Sequence, residues 1–307
     1  MLYIKFTKDY FKEFKKEEKF SSFTKRIIYA WKILRGGFFK KNIENGELII
    51  LPRINKKTKR NLFRYLSLFN VRTICLSENL RNTEMLGDIE NLGVKVLDGQ
   101  WLYKYLIKNI VQYITLQKGS EIESQEISIL INNITDVDIE NIIMLAEICK
   151  NINVVTSNEL KLKKIEAYLY NEKGIILNIT QNYSKSLIKS DIIINVDLEE
   201  AELNKYVFPR KAVVVSVESS AKVLNKGFDG INISSYKISI PEKYINGELN
   251  LECFNKEILY ESYLYRKTNP KNIINIIDND ELKIEFLEGS NGKISKNEYI
   301  RLQPNRR

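Results

Sequence analysis

Short apolar runs that alternate with helical patterns constrain the fold of this chain more than any other feature. Five runs in its middle part are rich in Ile, Val and Leu: Ile127–Asn132, Asn153–Thr156, Gly174–Ile179, Asp191–Val196 and Ala212–Val217. Continuous apolar runs are typical of parallel strands that are buried on both faces. Parallel neighbours need crossover connections, and amphipathic patterns at about 138–150, 159–172, 183–189 and 199–206 supply them. The alternation predicts an α/β fold with a doubly wound parallel sheet.

A second, earlier series predicts another α/β unit. Its β-type runs are Glu47–Ile54, Val71–Ser77 and Val94–Asp98, with helical patterns at about 55–69 and 82–92 between them. A long helix is predicted at about 100–117, where Lys104, Lys108 and Gln112 recur every four residues. That spacing forms one polar stripe, which is typical of an amphipathic helix and not of a membrane span.

Composition shifts and turn residues predict four segments. These are a basic, aromatic-rich N-terminal segment (1–41), an α/β domain with a linking helix (42–120), the doubly wound domain (121–240) and a C-terminal helical extension (241–307). The boundary near 120 follows Gly119-Ser120 and a polar stretch that ends at Gln125. After Pro241 only one helix, at about 255–267, and a capping-box pattern from Ser295 to Glu298 stand out.

The basic charge is concentrated near the N-terminus. Residues 1–64 contain 18 Lys or Arg and 6 Asp or Glu, whereas the rest of the chain contains 30 and 33, so the net charges are +12 and −3. Aromatic residues interleave with these lysines. Residues 1–41 therefore either pack on the body with solvated lysines, or contact an anionic surface, which is a membrane or a nucleic acid.

The usual reactive side chains are scarce. The chain has no histidine and three cysteines, which excludes Ser-His and Cys-His nucleophile pairs and the common metal-ligand clusters. Ten of the first 20 residues are charged, which leaves no room for the apolar core of a signal peptide. Unpaired cysteines in apolar stretches favour a reducing compartment, so we expect a cytoplasmic protein with no metal.

Three segments carry a family resemblance. The order of VVTSN at 154–158, SDIIIN at 190–195 and AVVVSV at 212–217 resembles the NAD(P)-binding domain of shikimate dehydrogenases and glutamyl-tRNA reductases. The resemblance covers about residues 125–235 and implies a Rossmann-like sheet that holds NAD(P) in a crevice beyond its strands. Residue by residue, only Asp191 and Asn195 match the family pattern.

The departures from that pattern predict a degenerate cofactor site. The turn Asn133–Asp138 contains none of the glycines that let the backbone approach a diphosphate. Asp136, Asp138 and Glu140 lie at the start of the next helix, where they complement the helix dipole but repel phosphate. Ser157 or Asn158 stands in place of the family's arginine, and Val196-Asp197 in place of its Thr-Pro.

Polar residues at the carboxyl ends of the predicted strands are the candidates for ligand binding. They are Asn132, Asn133, Thr156, Ser157, Asn195, Asp197 and Ser219. Because shikimate dehydrogenases use a Lys-Asp pair, the resemblance also makes Lys56 and Asp98 weak catalytic candidates. The alternative is that Lys56 belongs to a solvated helix start and Asp98-Gly99 to a turn.

The sequence thus leaves three functional hypotheses. The first is a non-catalytic binding or interaction protein, for an unknown small molecule or protein, with no cofactor expected. The second is an NAD(P)-dependent oxidoreductase with an unorthodox cofactor loop. The third is a peripheral membrane or nucleic-acid binder that uses residues 1–41.

Overall fold

A computed structural model describes most of the chain as two α/β units. The described residues are 1–7, 23–43, 46–149, 151–182, 185–218, 221–241, 253–267 and 269–302. The first unit consists of Met1–Gly99 and Ile240–Arg266, and the second of Gln100–Ser239 and Lys267–Arg307. Both units contain a mainly parallel sheet with helical connections, which confirms the predicted fold class.

The first unit contains a five-stranded sheet in the order β2-β3-β1-β4-β5. Its strands are β1 Leu2–Phe6, β2 Phe39–Ile43, β3 Gly46–Leu51, β4 Thr73–Leu76 and β5 Lys95–Leu97. Only the edge strand β2 is antiparallel to its neighbour. The helices up to β5 are α1 Phe23–Leu34, α2 Lys56–Leu68, α3 Glu78–Arg81 and α4 Met85–Glu90.

Helix α2 follows directly from local sequence signals. The Asn55 side chain caps it by accepting a hydrogen bond from the Thr58 N–H at 2.9 Å. Thr58, Leu62 and Leu66 recur every four residues and are buried, so one face of the helix packs on the sheet. The opposite face stays exposed.

The N-terminal strand differs from the predicted arrangement. The charge pattern predicts one segment over residues 1–41, but β1 lies in the middle of the first sheet, with Tyr3 and Ile4 buried. The pentapeptide LYIKF is strand-like by itself, and the dense charge that follows it hides this signal. Residues 8–22 of the basic segment lie outside the described residues.

The main sheet of the second unit consists of six strands whose neighbours are all parallel. They are β6 Glu126–Leu130, β7 Asn151–Val155, β8 Asn178–Thr180, β9 Ile192–Asn195, β10 Val213–Ser216 and β11 Ile231–Ile233. Their order is β8-β7-β6-β9-β10-β11. Numbered from the first strand this is 3-2-1-4-5-6, the arrangement of dinucleotide-binding domains, so the unit is Rossmann-like.

The single helix expected at about 100–117 is interrupted at Leu106, and the other helices of this sheet match the predicted positions with two exceptions. The helices are α5 Gln100–Tyr105, α6 Ile107–Lys118, α7 Asp136–Ile148, α8 Glu159–Lys173 and α9 Glu200–Leu203, with a 3-10 turn at Ile122–Ser124. The first exception is the helix expected at 183–189, because residues 185–189 form turns. The second is the helix expected at 199–206, of which only α9 forms.

The C-terminal region is not a single helical extension. Helix α10 Lys256–Leu264 belongs to the first unit, where Ile258 and Leu259 pack in one apolar cluster with Tyr3. The second unit gains α11 Pro270–Asn279, the antiparallel strands β12 Ser235–Ser239, β13 Lys283–Gly289 and β14 Gly292–Lys293, and α12 Lys296–Ile300. The capping box is confirmed, since Ser295 N donates to Glu298 Oε2 at 2.7 Å.

The division between the units also differs from the predicted boundary near 120. Helices α5 and α6 belong to the second unit, so its first part begins at Gln100. Helix α6 is held there by Lys108, whose Nζ lies 2.9 Å from Asp278 of α11, and by Tyr113, whose ring meets Tyr299 of α12 edge-on. Gly119, in the left-handed region at φ +64°, ends α6 without ending the unit.

The three cysteines are free thiols. Burial raises the pKa of Cys75 to about 12 and that of Cys149 to about 11, so neither is a nucleophile near neutral pH.

Within the described part of the chain, no helix is both long enough and apolar enough to cross a bilayer.

Candidate functional site

The carboxyl edge of the second sheet, where β6, β7, β9 and β10 end, brings most of the candidate residues together. Strand order reverses between β6 and β9, which is the place where sheets of this kind bind ligands. Asn132 and Asn133 follow β6, Ser157 follows β7, and Asp197 follows β9.

Asp197 fills the turn after the first strand. Its Oδ1 accepts a hydrogen bond from the Asn132 N–H at 2.8 Å, and its Oδ2 accepts one from the Asn133 N–H at 2.6 Å. We call these two N–H groups the first-turn amides. In a dinucleotide-binding domain, N–H groups of this turn face the diphosphate. Here a carboxylate of the chain itself takes both.

The same turn has no need for glycine. Among the described residues other than glycine, only Asn70 and Glu281 have positive φ, so Asn132 and Asn133 adopt conformations that any residue can take. Glycine serves in such turns where the backbone must approach a phosphate closely. Here the group that contacts the backbone is the Asp197 side chain, so residues 132 and 133 can carry side chains of their own.

The side chains around the first-turn amides bond to one another. Asn132 Nδ2 donates to Glu202 Oε1 at 3.0 Å, and Ser157 Oγ donates to Asn132 Oδ1 at 3.1 Å. Asn132 is therefore bonded through both its side chain and its backbone N–H. Asn133 and Ser157 remain exposed at the surface of the edge.

Thr156 and Asn195 shape their own turns. Thr156 is buried, and its Oγ1 accepts from the Asn158 N–H at 3.0 Å. Asn195 is fully buried; its Oδ1 accepts from the Leu198 N–H at 3.0 Å and its Nδ2 donates to the Leu198 carbonyl at 2.9 Å. Both side chains are thus used in turns of the chain. The remaining candidate, Ser219, lies outside the described residues.

The start of α7 is closed by a capping box. Asp138 Oδ2 accepts from the Thr135 N–H at 2.8 Å and from Thr135 Oγ1 at 2.6 Å. Asp136 stays exposed at the same helix start. The acidic helix start that the sequence suggested is therefore present, with Asp138 directed inward and only 2% exposed.

Lys104 also contacts residues at the carboxyl edge, and the sequence did not identify it as a candidate. Its Nζ lies 3.1 Å from Asp138 Oδ1 and donates to Glu218 Oε1 at 2.8 Å. Burial alone would lower the pKa of Lys104, but the hydrogen bond to Glu218 and the charge of Asp138 outweigh it, so the pKa is raised. Lys104 stays charged and is no general base at neutral pH.

The sequence signal for this contact was weak. The four-residue spacing of Lys104 with Lys108 predicted a solvated stripe, yet the chain between α5 and α6 places Lys104 inward. Its carbonyl also accepts from Asn141 Nδ2 at 2.8 Å, which fixes α5 against α7. The one available hint was the acidic start of α7, which requires a cation once it is buried.

Lys56 and Asp98 do not form a pair. Lys56 begins α2 beyond β3, whereas Asp98 follows β5, and strands β1 and β4 lie between them. Three strand spacings separate the two strand ends by about 14 Å. Asp98 is exposed and acts electrostatically on Arg81, whose guanidinium donates to the Leu97 carbonyl. The alternative of a solvated helix start and a turn describes both residues better.

Comparison with known proteins adds distant structural likenesses. No family model matches the chain, and no curated protein matches its sequence. L-tryptophan dehydrogenase from Nostoc punctiforme is 11% identical, covers 91% of this chain and 80% of its own, and has a TM-score of 0.35. Shikimate 5-dehydrogenase from Listeria monocytogenes, solved with shikimate and NAD, is 11% identical; the match covers 75% of this chain and 85% of that protein, with a TM-score of 0.31. Ornithine carbamoyltransferase from Pyrococcus furiosus is 14% identical; the match covers 75% of this chain and 74% of that protein, with a TM-score of 0.27. The fold class of the chain is given by its own strand order.

The Asp197 contact predicts a large loss of stability on truncation. Asp197→Ala removes two charge-assisted hydrogen bonds and leaves the first-turn amides without their acceptor, which costs about 2–3 kcal/mol in the free energy of unfolding. The matched control is Asp229→Ala, which breaks an exposed pair with Arg210 and should cost less than about 1 kcal/mol. Denaturant unfolding measures both. Equal losses would contradict the role assigned to Asp197.

The Lys104 contacts predict a comparable effect with a defined pH range. Lys104→Met leaves the buried Asp138 carboxylate uncompensated and costs about 3 kcal/mol, whereas Lys108→Met breaks a half-exposed pair and costs less than about 1 kcal/mol. Because the folded pKa of Lys104 is raised above 10.5, its contribution is complete below that pH and is lost only as pH rises through the folded value. The unfolding difference between wild type and Lys104→Met should be constant from about pH 7 to about pH 9. A decline over that range would contradict the raised pKa.

Proposed function

We propose that this chain is a non-catalytic binding or interaction protein whose Rossmann-like unit has given up ordinary dinucleotide binding. The observation that supports it most is the acceptance of both first-turn amides by the Asp197 carboxylate. A diphosphate needs those donors, and it would have to displace an anion that is tethered in place.

The charge around the carboxyl edge also disfavours dinucleotide binding. The described acidic side chains at or next to the edge are Asp136, Asp197, Glu199, Glu200, Glu202 and Glu218. Two of the described cations lie there: the buried Lys104 is committed to Asp138 and Glu218, and Lys161 donates to the Ile134 carbonyl at 3.5 Å, so the carboxylates are in excess. A ligand of this edge is therefore neutral or cationic, because a nucleotide would bring two or more negative charges close to carboxylates.

The same contacts argue against catalysis at this edge. Proton transfer near neutral pH needs a group whose pKa is close to that value, and the raised pKa of Lys104 removes it from this role. The polar candidates Asn132, Thr156 and Asn195 are all engaged in hydrogen bonds within the chain. The edge offers Asn133 and Ser157 as exposed polar groups for recognition.

The test is thermal unfolding of the full chain with NAD, NADH, NADP and NADPH. A cofactor at 100 times its dissociation constant stabilises a protein by about 2.7 kcal/mol, so binding would raise Tm clearly. We expect no rise with any of the four. The oxidoreductase hypothesis predicts a rise instead.

A blocking variant locates any binding that is seen. Asn133 is exposed, so Asn133→Trp should fold normally and cover the edge beside the first-turn amides. A Tm rise with a dinucleotide in the wild type that Asn133→Trp abolishes would contradict the proposal. The exposed Asn151→Trp, at the opposite end of the sheet, is the control for a general effect of a new tryptophan.

A further inference from the structure

Helix α1 carries an apolar stripe, formed by Ile27, Trp31 and Leu34, on its outer side. These residues are spaced i, i+4 and i+7, so they share one face, and they are 49%, 56% and 61% exposed. The inward face is marked by Ile33, which is buried in the core of the first unit. A clustered apolar face of this kind indicates an interaction surface and not a part of the core.

Helix α2 places a basic face beside the stripe. This basic face consists of Lys56, Lys57, Arg60 and Arg64, all exposed. Among the residues that the structure describes, none of the four has a carboxylate within ion-pair distance; the neighbouring Lys59, by contrast, pairs with Asp88 at 2.7 Å. The whole of α2 contains no acidic residue. Its cations repel one another and the positive end of the helix dipole, so the face is complementary to an anionic surface.

Hydrogen bonds and a close backbone approach hold the two helices together. Asn61 Nδ2 of α2 donates to the carbonyls of Arg35 and Gly36, which follow α1, at 3.2 and 2.9 Å. Gly36 has φ +76°, and a Cβ there would lie 2.7 Å from Lys57 Cβ, so the helices approach too closely for any other residue. A depression of about 550 Å³ between them is lined by Ile27, Trp31, Lys32, Arg35, Gly37 and Asn61. Lys57 of the basic face lies beside Gly36, directly after α1, so the apolar stripe and the basic face are neighbours, and together they make up one surface of the first unit.

We propose that this surface docks the first unit on the anionic face of a lipid bilayer. Apolar side chains with a tryptophan, flanked by lysine and arginine, enter the boundary between headgroups and acyl chains while the cations bind anionic headgroups. A nucleic acid fits less well, because isoleucine and leucine offer nothing to a phosphate backbone. The Arg35 guanidinium also lies 4.0 Å from the Trp31 ring centroid, so it covers one face on which a base would stack.

This inference does not depend on the proposed function, since it concerns α1 and α2 and not the carboxyl edge. It differs from the sequence-based hypothesis in its residues. That hypothesis used the segment 1–41, whereas half of this surface comes from α2, beyond residue 41.

The experiment is vesicle flotation of the full chain with neutral phosphatidylcholine and with phosphatidylcholine that contains phosphatidylserine. We expect binding to the anionic vesicles only, and weakening as salt is raised. Each surface cation strengthens such binding about fivefold, so Arg60→Gln with Arg64→Gln should lower the partition coefficient about thirtyfold. The matched control is Lys163→Gln with Lys164→Gln on the exposed side of α8, which changes the net charge equally and should leave binding within about twofold.

Tryptophan fluorescence reports the apolar half of the proposal. The chain has two tryptophans, Trp31 and Trp101, so Trp101→Phe leaves Trp31 as the single reporter. Its emission should shift to shorter wavelength with anionic vesicles, and Ile27→Ser with Leu34→Ser should abolish the shift without changing Tm, because both side chains are exposed.

Four results would overturn the proposal. They are failure to bind anionic vesicles, equal loss of binding in the α8 control, binding with unchanged Trp31 emission, and binding of single-stranded nucleic acid by Arg60 and Arg64 without vesicle binding. A dimer in solution that Ile27→Ser with Leu34→Ser dissociates would assign the stripe to a second copy of the chain and overturn it as well.

Discussion

The proposed function depends on the two hydrogen bonds from the first-turn amides to Asp197, which occupy N–H donors that a dinucleotide would need. A carboxylate with two oxygens on two successive N–H groups reproduces the charge and the contacts of a bound phosphate oxygen pair. Since this anion is attached to the chain two residues after β9, it competes with any free anion at a high effective concentration. The first-turn amides therefore connect the turn after β6 to the turn after β9.

Other features of the carboxyl edge follow from that arrangement. The turn after β6 carries the side chains of Asn132 and Asn133, and Asn132 is hydrogen-bonded to Glu202 and Ser157. Acidic residues gather where phosphate binding would exclude them. The buried Asp138 then needs a cation, which Lys104 supplies. The edge is therefore stabilised by its own polar network, and in the proposed function its exposed groups contact a neutral or cationic partner.

The sequence predicted the parallel strands of the second unit well, because strands buried on both faces are continuous apolar runs that helices separate. Strands β1 and β11 were missed for a different reason: LYIKF precedes a dense charge run, and Ile231–Ile233 is only three residues long. The candidate list included Asp197 and Asn132 because polar residues at strand ends are visible in a sequence. Their contact was not, since it joins positions 65 residues apart. Lys104 was missed because the residue pattern indicates one continuous helix. It does not show that the helix is interrupted at Leu106, or that Lys104 is buried as a result.

Nuclear magnetic resonance of the first-turn amides tests the central claim most directly. In ¹⁵N-labelled protein the Asn132 and Asn133 N–H resonances should shift together when Asp197→Ala removes their acceptor, and in the wild type they should not respond to added NADP at neutral pH. A saturable shift of both wild-type resonances with NADP would show that a dinucleotide takes these donors, and it would contradict the role assigned to Asp197.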